Sequence, residues 1–153
     1  MIDSAPMIRQ ATPADAAAWA RLRLGLWTDA DDPLEELTQS LADAEGAVFL
    51  AGAADGEAVG FAEVRLRHDY VNGTESSPVG FLEGWYVQPR WQGRGVGRAL
   101  LAAVQAWTRD AGCRELASDS RVEDVQAHAA HRACGFEETE RVVYFRMPLE
   151  PSA

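Results

Sequence analysis

The chain has 153 residues, 47% of them hydrophobic, and its 24 acidic and 14 basic residues give a formal net charge of −10. This fits one globular domain over residues 1–153, and the negative charge disfavours nucleic acid and anionic membranes as partners while attracting cationic ligands. No stretch has the character of a membrane span or signal peptide, and the two cysteines lack metal-ligand spacing, so we expect a cytoplasmic protein without a metal site.

Local signals predict helices and strands along the whole chain. Thr12 and Pro13 form a favourable helix start, and Ala54-Asp55-Gly56 is a tight turn between two alternating stretches. Apolar residues recur at helical spacing over 95–111, and Gly112 is the C-terminal stop. The predicted strands are 7–10, the two halves of 47–67, 76–89, 115–119 and 141–147, and the predicted helices are 13–26, 34–43, 95–111 and 124–133. This order predicts an α/β (α+β) fold with a mixed sheet and helices on both faces.

The stretch WQGRGVGR, residues 91–98, lies between a predicted strand and a predicted helix. Neither the P-loop pattern nor the dinucleotide fingerprint GxGxxG fits it, because their required residues are missing in every register. Gln92, Gly95 and Gly97 do form the pattern Gln-x-x-Gly-x-Gly, in which loop N–H groups and a helix N-terminus converge on a diphosphate. A glycine-rich turn with nothing bound is the alternative. The expected ligand contacts of the loop are Gln92, Gly93, Arg94, Gly95, Val96, Gly97 and Arg98.

At this loop the sequence resembles the GCN5-related N-acetyltransferases, whose acetyl-CoA loop reads Gln/Arg-x-x-Gly-x-Gly/Ala. The resemblance extends over the whole chain and includes Gly135-Phe136 near its end. It implies one domain of that family's fold, with acetyl-CoA as cosubstrate and a bulge that splays the strand before the loop. It also implies that the backbone N–H groups of Trp85, Tyr86 and Val87 bind the pantetheine arm, and the N–H of Val87 is the candidate donor to the reaction's oxyanion.

Residues 67–87, GCRELASD and GFEETERVVYFR resemble one branch of that family, the aminoglycoside 6′-N-acetyltransferases. This branch acetylates an amino group of cationic antibiotics, which is a resistance mechanism, and the resemblance also implies a homodimer. The substrate contacts of the branch map onto Trp27, Tyr70, Glu83, Asp119 and Glu140. Trp27 and Tyr70 can stack on sugar rings or fill core. One further contact of the branch, a histidine after the first helix, is replaced by Ala30.

Carboxylates near the acceptor amine can both hold ammonium groups and take the proton, because only a neutral amine attacks a thioester. Asp119 ends a predicted strand, where open α/β sheets bind ligands, and Glu83 lies mid-strand among apolar residues. The alternative for each is a turn cap or a pair with an arginine. His131 stands where many relatives place a tyrosine that protonates the leaving thiolate, and the alternatives are a water molecule as the donor and a histidine that only lies on the helix surface. Asp124 replaces an asparagine that contacts the coenzyme A arm.

Two other functions fit the same fold. The chain could acetylate another small polyamine, a protein N-terminus or a lysine, or it could bind coenzyme A without catalysis. A peptide acetyltransferase needs an open groove, whereas the insertion HDYVNGTESSP, residues 68–78, suits the enclosure of a small ligand. An inactive module is expected to lose its acceptor carboxylates, but Glu83 and Asp119 are both present.

Overall fold

The computed structural model describes residues 5–151, and the chain divides after Asp119 into two compact units. The strands are β1 (Met7–Gln10), β2 (Gly46–Gly52), β3 (Ala58–Arg67), β4 (Val79–Val87) and β5 (Leu116–Ser118). The α-helices are α1 (Ala16–Leu26), α2 (Leu34–Ala42), α3 (Val96–Asp110) and α4 (Val125–Ala133). Helix α4 lies in the second unit, and all the other elements lie in the first.

The first unit is built on a five-stranded sheet in the order β1-β2-β3-β4-β5. Strands β1 to β4 are antiparallel neighbours, and β5 is parallel to β4, so the sheet is mixed and mostly antiparallel. The ladder between β4 and β5 ends at the pair Leu82 and Ser118, although β4 continues to Val87. The predicted fold class, including a strand that separates from its neighbour, is therefore confirmed.

Helices cover both faces of this sheet. On one face α1 and α2 bury a core cluster that includes Trp19, Leu22, Leu37, Val48, Leu50 and Phe61. Helix α3 packs on the opposite face, where Gly60 lies beneath it: a Cβ on Gly60 would sit 3.3 Å from Leu100. Neighbouring residues of a strand point to opposite faces of the sheet, so Phe61 faces α1 and α2 whereas Gly60 faces α3. Burial of each large apolar side chain contributes about 1.5–3 kcal/mol.

Helix α1 begins at Ala16, slightly later than predicted. Pro13–Asp15 form a 3-10 turn, in which the N–H of Thr12 donates to the Asp15 carboxylate at 2.8 Å. The Arg9 guanidinium holds the same carboxylate and lowers the pKa of Asp15 to about 2. The expected start signals are therefore in use, but they close a tighter turn before the α-helix begins.

The predicted closing strand over 141–147 is wrong. Among the described residues, the second unit contains helix α4 and no strand, and the side chains of Val143, Tyr144, Phe145 and Met147 are largely exposed, Phe145 by 92%. A run of β-branched and aromatic residues indicates only that a segment is able to pair, because a strand also needs a partner edge. Within residues 5–151, no helix has both the length and the apolar character to cross a membrane.

Candidate functional site

The glycine loop between β4 and α3 adopts a backbone that requires glycine. Gly93 and Gly95 have φ angles of +74° and +83°, in the left-handed region that other residues rarely enter. Gly95 is the N-cap of α3, and a Cβ at Gly93 or Gly95 would meet nothing within 4 Å. The loop thus presents a helix N-terminus to open space. N–H groups and the helix dipole make such a terminus suitable for a diphosphate.

Two side chains tie this loop to the end of β4. The Gln92 amide donates to the carbonyl of Val87 at 2.9 Å, so the glutamine of the motif closes the loop on its own strand. The Trp85 indole N–H donates to the carbonyl of Gly97 at 3.0 Å, and a Cβ on Gly97 would lie 3.5 Å from that indole. Gly97 therefore also serves the packing of α3 on β4. The Arg94 guanidinium lies 5.1 Å from the centre of the Trp91 ring.

The end of β4 presents the backbone N–H groups of Trp85 and Val87 on the side away from β3, whereas the N–H of Tyr86 points toward β3. The N–H of Gln88 donates to the carbonyl of Val59 at 2.9 Å, and the N–H groups of successive strand residues point in opposite directions. The N–H of Val87 therefore points away from β3, toward the side on which the ladder with β5 has already ended. The ring of the neighbouring Tyr86 packs directly on Gly25 of α1, where any side chain would overlap it.

Two carboxylates follow the last pair of the β4–β5 ladder. That pair is Leu82 and Ser118, and the next residues are Glu83 and Asp119. Glu83 also occupies a bulge, because β3 pairs with the residues on either side of it. Bulges next to functional sites often re-aim a side chain. Asp119 is exposed at the end of β5, so the structure brings the two predicted carboxylates to the place where the strands part.

Glu83 is held by an arginine that sequence reasoning did not single out. One Nη atom of Arg67 donates to both carboxylate oxygens of Glu83, at 3.0 and 3.2 Å. The guanidinium of Arg67 lies 3.7 Å from the centre of the Phe81 ring. The alternative interpretation of Glu83, a pair with an arginine, is therefore what the structure contains. The sequence did contain a signal for Arg67: charged residues stand at alternate positions of β3 and end in Arg67, which indicates that one face of this strand is polar.

A second arginine, Arg23 of α1, was also missed. It forms an ion pair with the partly buried Glu63 of β3 and a second one with Asp32 at 3.0 Å. Burial raises the pKa of Glu63, although the charge of Arg23 opposes that rise. The Arg23 guanidinium lies 5.0 Å from the centre of the Trp19 ring and 4.7 Å from that of Trp27. The spacing of these three residues, four positions apart on one helix face, was a readable signal.

The two predicted aromatic contacts differ in burial. Trp27 lies directly over Gly84 and is tilted against Phe61, with ring centres 6.3 Å apart, so it is half buried beside the bulge. Tyr70 is 74% exposed, in the loop between β3 and β4.

That loop is held at its far end by Glu115, whose carboxylate accepts hydrogen bonds from the Glu75 N–H and the Ser76 hydroxyl. The Ser76 hydrogen bond is the main reason that the pKa of Glu115 is lowered. Of these two residues, Ser76 belongs to the predicted strand 76–89, whereas the observed β4 begins at Val79.

The remaining predicted residues lie in the second unit. Asp124 is the N-cap of α4, and its side chain accepts from the N–H of Ala127 at 3.0 Å. The Nδ1 of His131 donates to the carbonyl of Ala127 at 2.7 Å, which leaves Nε2 without a proton in the neutral ring. Glu140 is exposed. Across residues 5–151, no cluster of three or more His, Cys, Asp or Glu side chains is arranged to hold a metal ion.

Named proteins resemble this chain over nearly its whole length. A Stenotrophomonas maltophilia protein named aminoglycoside N(6')-acetyltransferase type 1 is 95% identical over 153 residues, covering 100% of both chains. A protein of that name from Salmonella enteritidis is 45% identical and covers 91% of this chain and 97% of its own.

Two solved structures have closely similar folds. AAC(6')-Iy, in complex with the bisubstrate analog CoA-S-monomethyl-acetylneamine, has a TM-score of 0.89 at 45% identity and covers 95% of this chain and 100% of its own. AAC(6')-Ih from Acinetobacter baumannii also has a TM-score of 0.89, at 37% identity, and covers 95% and 99% of the two chains. The profile of the Acetyltransferase (GNAT) family matches residues 14–136. The chain, which contains this glycine loop and in which β4 separates from β5, therefore belongs to the acetyltransferase (GNAT) family.

Proposed function

We propose that the chain transfers the acetyl group of acetyl-CoA to the 6′-amino group of aminoglycosides, and that this is a resistance activity. The observation that carries the proposal is the pair Glu83 and Asp119, placed where β4 and β5 part, on the strand that leads into the glycine loop. The relatives named for this reaction, and the solved relative that holds a coenzyme A–aminoglycoside analogue, support the same activity.

The residues of the loop fit the diphosphate of coenzyme A. The open space at Gly93 and Gly95 lets phosphate oxygens approach the backbone, and Arg94 and Arg98 add positive charge to the loop. The N–H of Val87 points to the side where β4 has separated from β5, as a contact to the pantetheine arm or the acetyl oxygen requires. Trp85, Val87 and residues 92–98 make up the proposed cosubstrate site within the first unit, without the expected contact of the Tyr86 N–H, which points toward β3.

The acceptor side of the reaction needs negative charge and a proton acceptor. Acetyl-CoA supplies an activated thioester, whose carbon–sulfur bond breaks as the amine nitrogen bonds to the acetyl carbon. Glu83 and Asp119 orient the ammonium groups of the substrate, and one of them takes the proton of the attacking amine, directly or through water. The N–H of Val87 donates to the developing charge on the acetyl oxygen. Trp27 and Tyr70 offer flat faces to the sugar rings.

Three proposed roles rest on the family resemblance alone, because the residues lie in the second unit. They are the contact of Asp124 with the coenzyme A arm, the contact of Glu140 with the substrate, and protonation of the leaving thiolate by His131. Since the Nδ1 proton of His131 is engaged by a carbonyl, its Nε2 must first take up a proton, which makes the ring an imidazolium, before it can act as the donor. A water molecule is the alternative donor.

The position at which the aminoglycoside is acetylated tests the proposed 6′-N-acetyltransferase activity. With acetyl-CoA, we expect mass spectrometry to show a single-acetyl product from aminoglycosides that carry a 6′-amine, such as kanamycin or tobramycin, and none from compounds with a 6′-hydroxyl. Simple polyamines and peptides serve as further acceptors in a coenzyme A release assay. Preferential acetylation of peptides, or coenzyme A binding without turnover on any amine, would replace the proposal with one of the two alternatives.

We also propose a homodimer, in which a second copy covers the apolar segment 142–149. Its apolar side chains are exposed by 45% at Val142 and by 92% at Phe145. Contiguous exposed apolar surface of this kind marks an interaction site, and β-branched and aromatic residues suit pairing with a strand edge. We further propose that residues 1–153 form one domain and that the protein is cytoplasmic. Acetyl-CoA is available in the cytoplasm, and the thiols Cys113 and Cys134 remain free there.

The dimer can be tested by light scattering after size-exclusion chromatography. Wild type should elute with twice the chain mass, and the double variant Val143→Glu, Phe145→Glu should elute as a monomer, because two charges cannot be buried in an apolar interface. Leu34→Glu, at a residue that is 54% exposed in α2, is the matched control and should leave the mass unchanged. A monomeric wild type at micromolar concentration would refute the dimer.

A further inference from the structure

Arg67, the last residue of β3, places a cation on a carboxylate that is proposed to bind the substrate. Its guanidinium donates to both oxygens of Glu83, at 3.0 and 3.2 Å. Its centre also lies 3.7 Å from the centre of the buried Phe81 ring. The arginine is therefore held on two sides, by a carboxylate and by an aromatic face.

This arrangement matters for a cationic substrate. A carboxylate has about four lone-pair positions, and Arg67 uses one on each oxygen, so an arriving ammonium group either shares Glu83 with the arginine or displaces it. Both outcomes cost free energy: sharing brings two positive charges together, and displacement breaks an existing pair. Contact with Phe81 keeps the guanidinium near Glu83 even when a hydrogen bond to the carboxylate is given up.

We propose that Arg67 is a specificity-determining residue: an internal cation that competes with the substrate ammonium for Glu83 and lowers the affinity for cationic acceptors. The inference rests on the proposed function, because it assumes that Glu83 contacts the acceptor. Arg67 acts on binding of the acceptor and not on the chemical step. An acceptor with several ammonium groups overcomes the competition through contacts with the other carboxylate, Asp119, whereas an isolated amine has no such compensation.

The test compares Arg67→Gln with Arg65→Gln. Arg65 lies on the same strand, is exposed by 40% against 43% for Arg67, and pairs with Asp43 at 2.9 Å. Both variants remove one positive charge, but only one of them releases Glu83. For Arg67→Gln we expect the KM for kanamycin to fall by about 3- to 10-fold, the scale for two unit charges about 4 Å apart that are screened by water. The KM for acetyl-CoA and kcat should stay within about twofold, and Arg65→Gln should behave as wild type.

Two further measurements separate charge from packing. Raising the salt concentration should increase the KM for kanamycin more steeply in Arg67→Gln than in wild type, because the variant has one more uncompensated negative charge. Arg67→Lys retains the charge without the flat guanidinium, so its KM should stay near that of wild type. A KM that is unchanged or raised in a folded Arg67→Gln protein would overturn the inference, as would a KM for Arg67→Lys that matches that of Arg67→Gln.

Variants of Glu83 distinguish this inference from the proposed site. If Glu83→Gln leaves the KM and kcat for kanamycin unchanged, the proposed role of Glu83 fails, and the role of Arg67 fails with it. If Glu83→Gln impairs the reaction but Arg67→Gln has no effect, only the inference about Arg67 fails. If Glu83→Gln impairs the reaction and Arg67→Gln lowers the KM for kanamycin, the effect of Arg67→Gln should disappear in the Glu83→Gln background, because the carboxylate with which Arg67 pairs is gone.

Discussion

Asp119→Asn is expected to lower kcat/KM for a 6′-amino aminoglycoside by about 100-fold, the usual scale for lost acid–base assistance. The carboxylate follows the last residue of β5, at the point where the ladder with β4 ends, and it is exposed there to an incoming ligand. The amide keeps the shape of the side chain but loses its charge and its ability to take a proton. Steady-state kinetics with a coenzyme A release assay measures the effect, and binding of acetyl-CoA should barely change.

Asp110→Asn is the matched control, because Asp110 is an exposed carboxylate at the end of α3 and its loss changes the net charge equally. Its kinetics should equal those of wild type. A pH profile separates two roles of Asp119: rising pH partly rescues Asp119→Asn if the carboxylate removes the proton, since more amine is then neutral without help. No rescue indicates ammonium binding. Normal kinetics of Asp119→Asn across the profile would remove Asp119 from the site.

Gly95→Val should weaken coenzyme A binding at least tenfold, which corresponds to about 1.4 kcal/mol. Gly95 caps α3 in the left-handed region, and the space that a side chain would enter there is open. A branched side chain would occupy the position of the phosphate oxygens and would pull the backbone out of the conformation that directs its N–H groups at them. Isothermal titration calorimetry with coenzyme A measures the change.

Gly56→Val separates the loss of ligand binding from backbone strain. Gly56 lies in the turn between β2 and β3 with a φ angle of +90°, and a Cβ there would also meet nothing within 4 Å. Both variants should therefore lose a similar free energy of unfolding, about 1–2 kcal/mol. Only Gly95→Val should lose affinity for coenzyme A. Equal affinities in the two variants would contradict the assignment of the loop.

Local chemistry was sufficient to predict most elements and the backbone of the glycine loop from sequence. Glycines that must adopt a positive φ, the signals at helix ends and the period of apolar residues all act over a few neighbouring positions, so they can be read without the fold. The Gln-x-x-Gly-x-Gly pattern is such a signal, and the structure has Gly95 at the helix start with the required backbone. The family resemblance at this loop was confirmed by the profile match over 14–136.

The tertiary structure alone decided which groups meet. The bulge at Glu83, its pairing with Arg67 and the burial of Glu63 against Arg23 depend on the register of β3 with β4 and on the packing of α1 over them. A register is a property of two segments that are distant in sequence, so neither segment encodes it alone. The segment 141–147 shows the same limit, because its β-branched and aromatic residues permit a strand but cannot supply the edge with which a strand must pair.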